Sequence, residues 1–88
     1  MSTSTLRVAA LQAASGLDPA ANRDLLHRLI TAHSTDTDLV VAPEAFARDF
    51  GDPRSDLASD AETLEGPFVS ALAEAARDQG TAVVAGMF

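Results

Sequence analysis

Apolar positions fall into three short continuous runs, and two stretches of helical periodicity separate them. The first run, "LRVAALQ" at residues 6–12, suits a buried strand. In "SGLDPAANRDLLHRLITAH", Asp18 followed by Pro19 predicts a helix start, the acid as N-cap and the proline at the first helical position. Leu25, Leu26, Leu29 and Ile30 then form one apolar stripe, with Ala21 at its edge. The polar segment "STDTD" ends that helix and leads into a second strand at 39–42. Next comes "AFARDFGDPRSDLASDAETLEG", which has little periodicity, and loops of more than about 12–15 residues in compact domains tend to be functional or disordered. Gly66-Pro67 predicts a second helix, with Phe68, Val69, Leu72, Ala75 and Ala76 on one face and Gly80 as its stop. "TAVVAGMF" predicts a third strand.

Strands that alternate with helices and read as unbroken apolar runs predict a parallel sheet in an α/β protein. The strands look apolar on both faces, whereas two helices can cover only one face. Half a dozen Val- or Leu-sized side chains left in water would forgo roughly 10 kcal/mol, as much as the whole stability of a typical domain. The pattern therefore predicts the beginning of a larger unit, truncated at Phe88, with residues 1–5 as a flexible N-terminus and 6–88 as the folded part.

Composition narrows the possibilities further. The 88 residues allow one small domain at most, and a hydrophobic fraction of 47% opposes disorder. Thirteen acids against six bases leave a net charge of −7, which opposes binding to nucleic acid or to an anionic membrane. All six bases are arginine, so the chain has no lysine. It has no cysteine either, which excludes disulfides, thiolate metal sites and thiol nucleophiles within these residues. No signal peptide or membrane-length apolar run is visible, and a cytoplasmic location follows by default.

The sharpest chemical candidate is Glu44 in "DLVVAPEAF". In parallel α/β sheets ligands bind outside the carboxyl ends of strands, and Glu44 lies two residues beyond Ala42 in that zone. Burial at such a place raises a carboxyl pKa and suits it to general-base work near neutral pH. The competing reading is a helix opened by Pro43 and Glu44, with the acid favoured by the helix dipole. Other features carry less. "DFG" at 49–51 lacks the lysine and catalytic loop that a kinase needs. Asp49, Asp52, Asp56 and Asp60 lack calcium-loop spacing and read as a solvated acidic loop. "QAASGLDPA" matches neither nucleotide-binding glycine pattern. His27 and His33 are six apart, on the polar face and near the end of the first helix, and do not form a metal pair. Asn22 projects close to the apolar stripe, so burial obliges it to find partners, and backbone near the strand ends is the expected one.

Taken in order, "RVAALQ", Asn22 opening an amphipathic helix, "DLVVAPEAF" and "EGPFVSALAEAARDQGTAVVAGMF" resemble the N-terminal part of the nitrilase or carbon–nitrogen hydrolase superfamily. The strand-Pro-Glu-aromatic element and the Gly-Pro, helix, Gly, Val-Val-x-Gly element are the most specific pieces. The resemblance implies a four-layer α-β-β-α sandwich, of which this chain supplies a β-α-β-α-β portion, and a homo-oligomeric enzyme when full length. It also implies a Glu-Lys-Cys triad that cleaves small amides or nitriles, with no metal or organic cofactor. Only Glu44 carries over, as general base; the lysine and cysteine have no counterpart in these residues, so the chain alone is expected to be inactive. Two other readings stay open: a small acidic α/β binding module without catalysis, and a regulatory fragment that assembles with a full-length relative.

Overall fold

The computed structural model describes residues 4–88. Residues 1–3 of the expected flexible N-terminus lie outside the described residues, and Ser4 and Thr5 are exposed and belong to no element. The elements run β1 (Val8–Ala10), α1 (Pro19–His33), β2 (Leu39–Val41), a single 3-10 turn (Ala58–Asp60), α2 (Pro67–Gln79) and β3 (Ala82–Val84). All pairing is parallel, in the order β1-β2-β3, with Ala9 beside Val40 and Val40 beside Val83. Because each crossover steps to the next strand in the same direction, a right-handed connection puts both helices on one face of the sheet.

Local signals set the helix ends. Asp18 accepts a hydrogen bond from Ala20 N at 3.1 Å, and Pro19 opens α1 without losing an intrahelical donor. Gly66 cannot cap α2 with a side chain; Glu62 does so instead, its Oε1 accepting from Phe68 N at 2.7 Å. At the other end Gly80 takes the left-handed conformation, φ 62°, and Thr81 N donates back to Ala76 O at 3.1 Å.

The core lies between the sheet and the helices. Leu26 and Ile30 of α1 meet Phe68 and Ala75 of α2 over Val40, with Leu11, Ala42, Phe46 and Ala47 closing it at the carboxyl end of β2. Ala21, placed at the edge of the helical stripe by the sequence pattern, is exposed. The strands are shorter than the apolar runs, because a ladder extends only as far as its neighbour. Leu11 N donates to Val41 O and Ala42 N to Val84 O, both at 2.8 Å, and there Pro43 brings β2 to an end.

Among the described residues no helix lies over the opposite sheet face. Val8 and Val84 are 50% and 55% exposed, Ala10 and Ala82 are exposed, and Leu39 and Val41 are half-buried. Two of these six are alanines, so the forgone burial is smaller than six full-sized side chains would give. The face nevertheless remains apolar and continuous. No helix among the described residues is long and apolar enough to cross a membrane. Purified alone at micromolar concentration, the 88-residue chain is expected to self-associate through this face. Sedimentation velocity checks this, and a monodisperse monomer with a cooperative melt would count against it.

Candidate functional site at the carboxyl end of β2

Glu44 sits where the sequence places it, just past the carboxyl end of the central strand, but its surroundings differ from expectation. It is exposed, so the burial invoked for it does not exist among the described residues. It does not open a helix either: residues 44–47 form a turn, and the next helical segment is the 3-10 turn at Ala58–Asp60. Two recesses flank the core. One of about 330 Å³ runs along β1 and includes Gln12, Leu29 and His33; the other lies between the helices beside Arg23 and Phe68. Glu44 lines neither.

The backbone around Glu44 is held from several sides. Ala45 has φ 55°, a left-handed conformation that is uncommon for residues other than glycine. Asp36 has a similar φ of 58°, but aspartate tolerates this region far better than alanine does. Ser15 Oγ donates to Ala45 O at 3.1 Å, which brings the loop after β1 onto the turn. Asp49 N donates to Gly16 O at 2.9 Å and joins the same two loops one step further on.

Asn22 completes the arrangement from below. Only 2% exposed, it uses its whole amide: Oδ1 accepts from Gly16 N at 2.8 Å, and Nδ2 donates to Gly16 O at 2.9 Å and to Ala47 O at 3.1 Å. The expectation that this residue bonds backbone near the strand ends is met in full. His27 and His33 are both exposed on α1. No group of three or more His, Cys, Asp or Glu side chains suited to a metal ion occurs among the described residues.

The acidic loop is less uniform than its composition suggested. Asp49, Asp52 and Asp56 are exposed, and each accepts from the backbone N–H two residues on. Arg54 also donates to Asp52 through its side chain and, with that backbone bond, holds the carboxyl below the usual aspartate range. Fully exposed, that pair adds little to stability. Asp60 departs from the solvated reading. It is half-buried, and its Oδ2 lies 2.8 Å from Arg48 Nε, a close charge contact in poor hydrogen-bond alignment. Arg48 Nη1 donates to Asp49 O and Phe50 O, so one guanidinium gathers both ends of the loop. Phe50 meets Phe88 edge to face, with ring centroids 5.0 Å apart. The sequence pattern gave no hint of the Arg48–Asp60 pair or of the bond from Ser15.

The family model for carbon-nitrogen hydrolases matches residues 7–88, almost the whole chain. The chain belongs to the carbon-nitrogen hydrolase family. Two Mycobacterium tuberculosis proteins, hydrolases Rv0480c and MT0498, are each 38% identical to it over 84 residues. Those residues are 94% of this chain and 29% of each relative. A carbon-nitrogen hydrolase superfamily protein of Xanthomonas campestris, XC1258, solved with an arsenic adduct in its active site, superposes with a TM-score of 0.81 at 30% identity. The superposition covers 93% of this carbon-nitrogen hydrolase chain and 30% of that one. The β-α-β-α-β arrangement is thus that of the N-terminal part of the carbon-nitrogen hydrolase fold, and the chain spans just under a third of the length of these relatives.

Replacing Asn22 with alanine takes its partner from Gly16 N–H and from the Ala47 carbonyl, and leaves the Gly16 carbonyl with Asp49 N alone. The expected loss is about 2–4 kcal/mol of unfolding free energy, read as a shift in the denaturant midpoint. A loss below about 1 kcal/mol would show that water replaces the amide without difficulty.

Proposed function

We propose that Glu44 is the general base of a hydrolase that cleaves small non-peptide amides or nitriles. One observation carries this reading: a carboxylate stands at the carboxyl end of the central parallel strand, on a turn kept in a strained conformation. Strain of this kind costs of order 1–3 kcal/mol and clusters where function requires it. Exposure of Glu44 fits a group that must receive a proton from another part of the site, since a general base works only within hydrogen-bond reach of that proton.

In the proposed reaction Glu44 takes the proton of a cysteine thiol, and the thiolate attacks the amide carbon. A lysine ammonium stabilises the oxyanion that forms. Collapse breaks the carbon–nitrogen bond, and the proton held by Glu44 leaves on the amine. Glu44 then deprotonates water, which attacks the thioester and releases the carboxylic acid and the thiol. A nitrile enters the same cycle by addition of the thiolate to its carbon with a proton to its nitrogen; water then adds to the thioimidate and ammonia leaves, giving the same thioester.

These 88 residues contain neither the cysteine nor the lysine. The proposal therefore concerns the longer enzyme, a homo-oligomer with a small-molecule substrate and no metal or organic cofactor.

Two outcomes test this. In the full-length enzyme, Glu44→Gln is expected to lower ammonia release from simple primary amides and nitriles by about 10²–10⁴-fold. An unchanged rate would remove Glu44 from the chemistry. The 88-residue chain alone is expected to release no ammonia above the blank from the same compounds, and measurable turnover by it would refute the three-part site.

A further inference from the structure

Gly86 follows β3, and no sequence signal beyond the Val-Val-x-Gly element gave it a role. Its φ is not among the positive ones, so its own backbone does not demand glycine. The demand comes from space. A Cβ at Gly86 would stand 2.7 Å from Ala45 N, 3.1 Å from Glu44 Cα and 3.3 Å from Glu44 C. All three are backbone atoms, so no flexible side chain can swing aside to make room. The Gly86 carbonyl in turn accepts from Ala47 N at 3.1 Å. The segment after β3 therefore lies directly against the Glu44–Ala45 peptide, on the opposite flank from Ser15 and Asn22.

We propose that Gly86 is a positioning residue for Glu44, an inference that rests on the reading of Glu44 as general base. The bare backbone at Gly86 closes the turn from the β3 side, as Ser15 does from the β1 side through Ala45 O. Between them the Glu44 Cα has a single place, and with it the direction in which the carboxylate leaves the chain. A methyl group at 86 pushes on the peptide that bears the acid. The binding of substrate through other parts of the molecule is left alone.

The test uses the full-length enzyme, with ammonia release from its best simple amide substrate as the readout and kcat expressed per folded molecule. Gly86→Ala is expected to lower kcat about 10–100-fold with KM within threefold, because small misplacement of a reacting group costs rate more than binding. In a Glu44→Gln background the same substitution is expected to lower the residual rate less than twofold, since it acts through the side chain already removed. A parental kcat in folded Gly86→Ala, or a second full loss in the Glu44→Gln background, overturns the proposal. If Gly86→Ala does not fold, Ser15→Ala decides: a fall of about three- to tenfold in kcat at constant KM supports the clamp, and a parental kcat overturns it. An undiminished rate in Glu44→Gln itself defeats the general-base reading, whatever Gly86 does. A dead Glu44→Gln beside a fully active Gly86→Ala defeats only the positioning role.

Discussion

An amide side chain removed from water must have its donors and acceptor answered, and the region around Glu44 is arranged about that requirement. Asn22 is nearly sealed, and its three hydrogen bonds all go to main chain. Two reach Gly16, in the loop after β1, and the third reaches Ala47, in the turn after β2. Neither loop has a regular ladder at that point. A rigid residue on α1, itself fixed by Leu26 and Ile30 in the core, thereby becomes the reference for both. The strained Ala45 and the close approach of Gly86 persist because their neighbours cannot move independently of that helix.

The opposite end of the sheet is built differently. There Thr37 Oγ1 donates to Ser34 O at 2.7 Å and lies 3.1 Å from Thr81 Oγ1, while Ser34 Oγ donates to Gln79. Asp38 accepts from Arg7 N at 2.9 Å, joining the entries to β1 and β2. Those bonds join polar side chains to one another and to main chain, around a turn in which Asp36 is left-handed, and draw the start of each strand toward its neighbour. Both ends use a hydroxyl bonded to a main-chain carbonyl, and the Glu44 end adds the Asn22 amide and the close backbone approach of Gly86. Backbone contact of the Gly86 kind leaves no rotatable side-chain bond between the anchor and the turn that bears Glu44.

The sequence revealed most where the cause was local. Asp18-Pro19, Gly66-Pro67 and Gly80 marked the helix ends because caps and left-handed stops depend on residues a few positions apart. Asn22 was legible for a different reason: a polar residue beside an apolar stripe poses a question that only buried partners answer. The exposure of Glu44 was not legible, since an apolar strand before it does not say what stands around the turn beyond. The Arg48–Asp60 pair and the bond from Ser15 to Ala45 were hidden as well, because each depends on how irregular loops fold back. Gly86 shows the limit clearly. A glycine just past a strand is compatible with many shapes, and only the three-dimensional path reveals which atoms it makes room for.

The spatial order of the strands equals their order in the chain, and this bears on how the molecule comes into being. A polypeptide leaving the ribosome can lay each strand against the one already formed, without prising open an existing pair to insert a later arrival. β2 can pair with β1 once α1 has been made, and the segment after β3 that lies against Glu44 is made after both. No strand pair has to open to admit a later strand, so this parallel ladder can grow by addition at one edge.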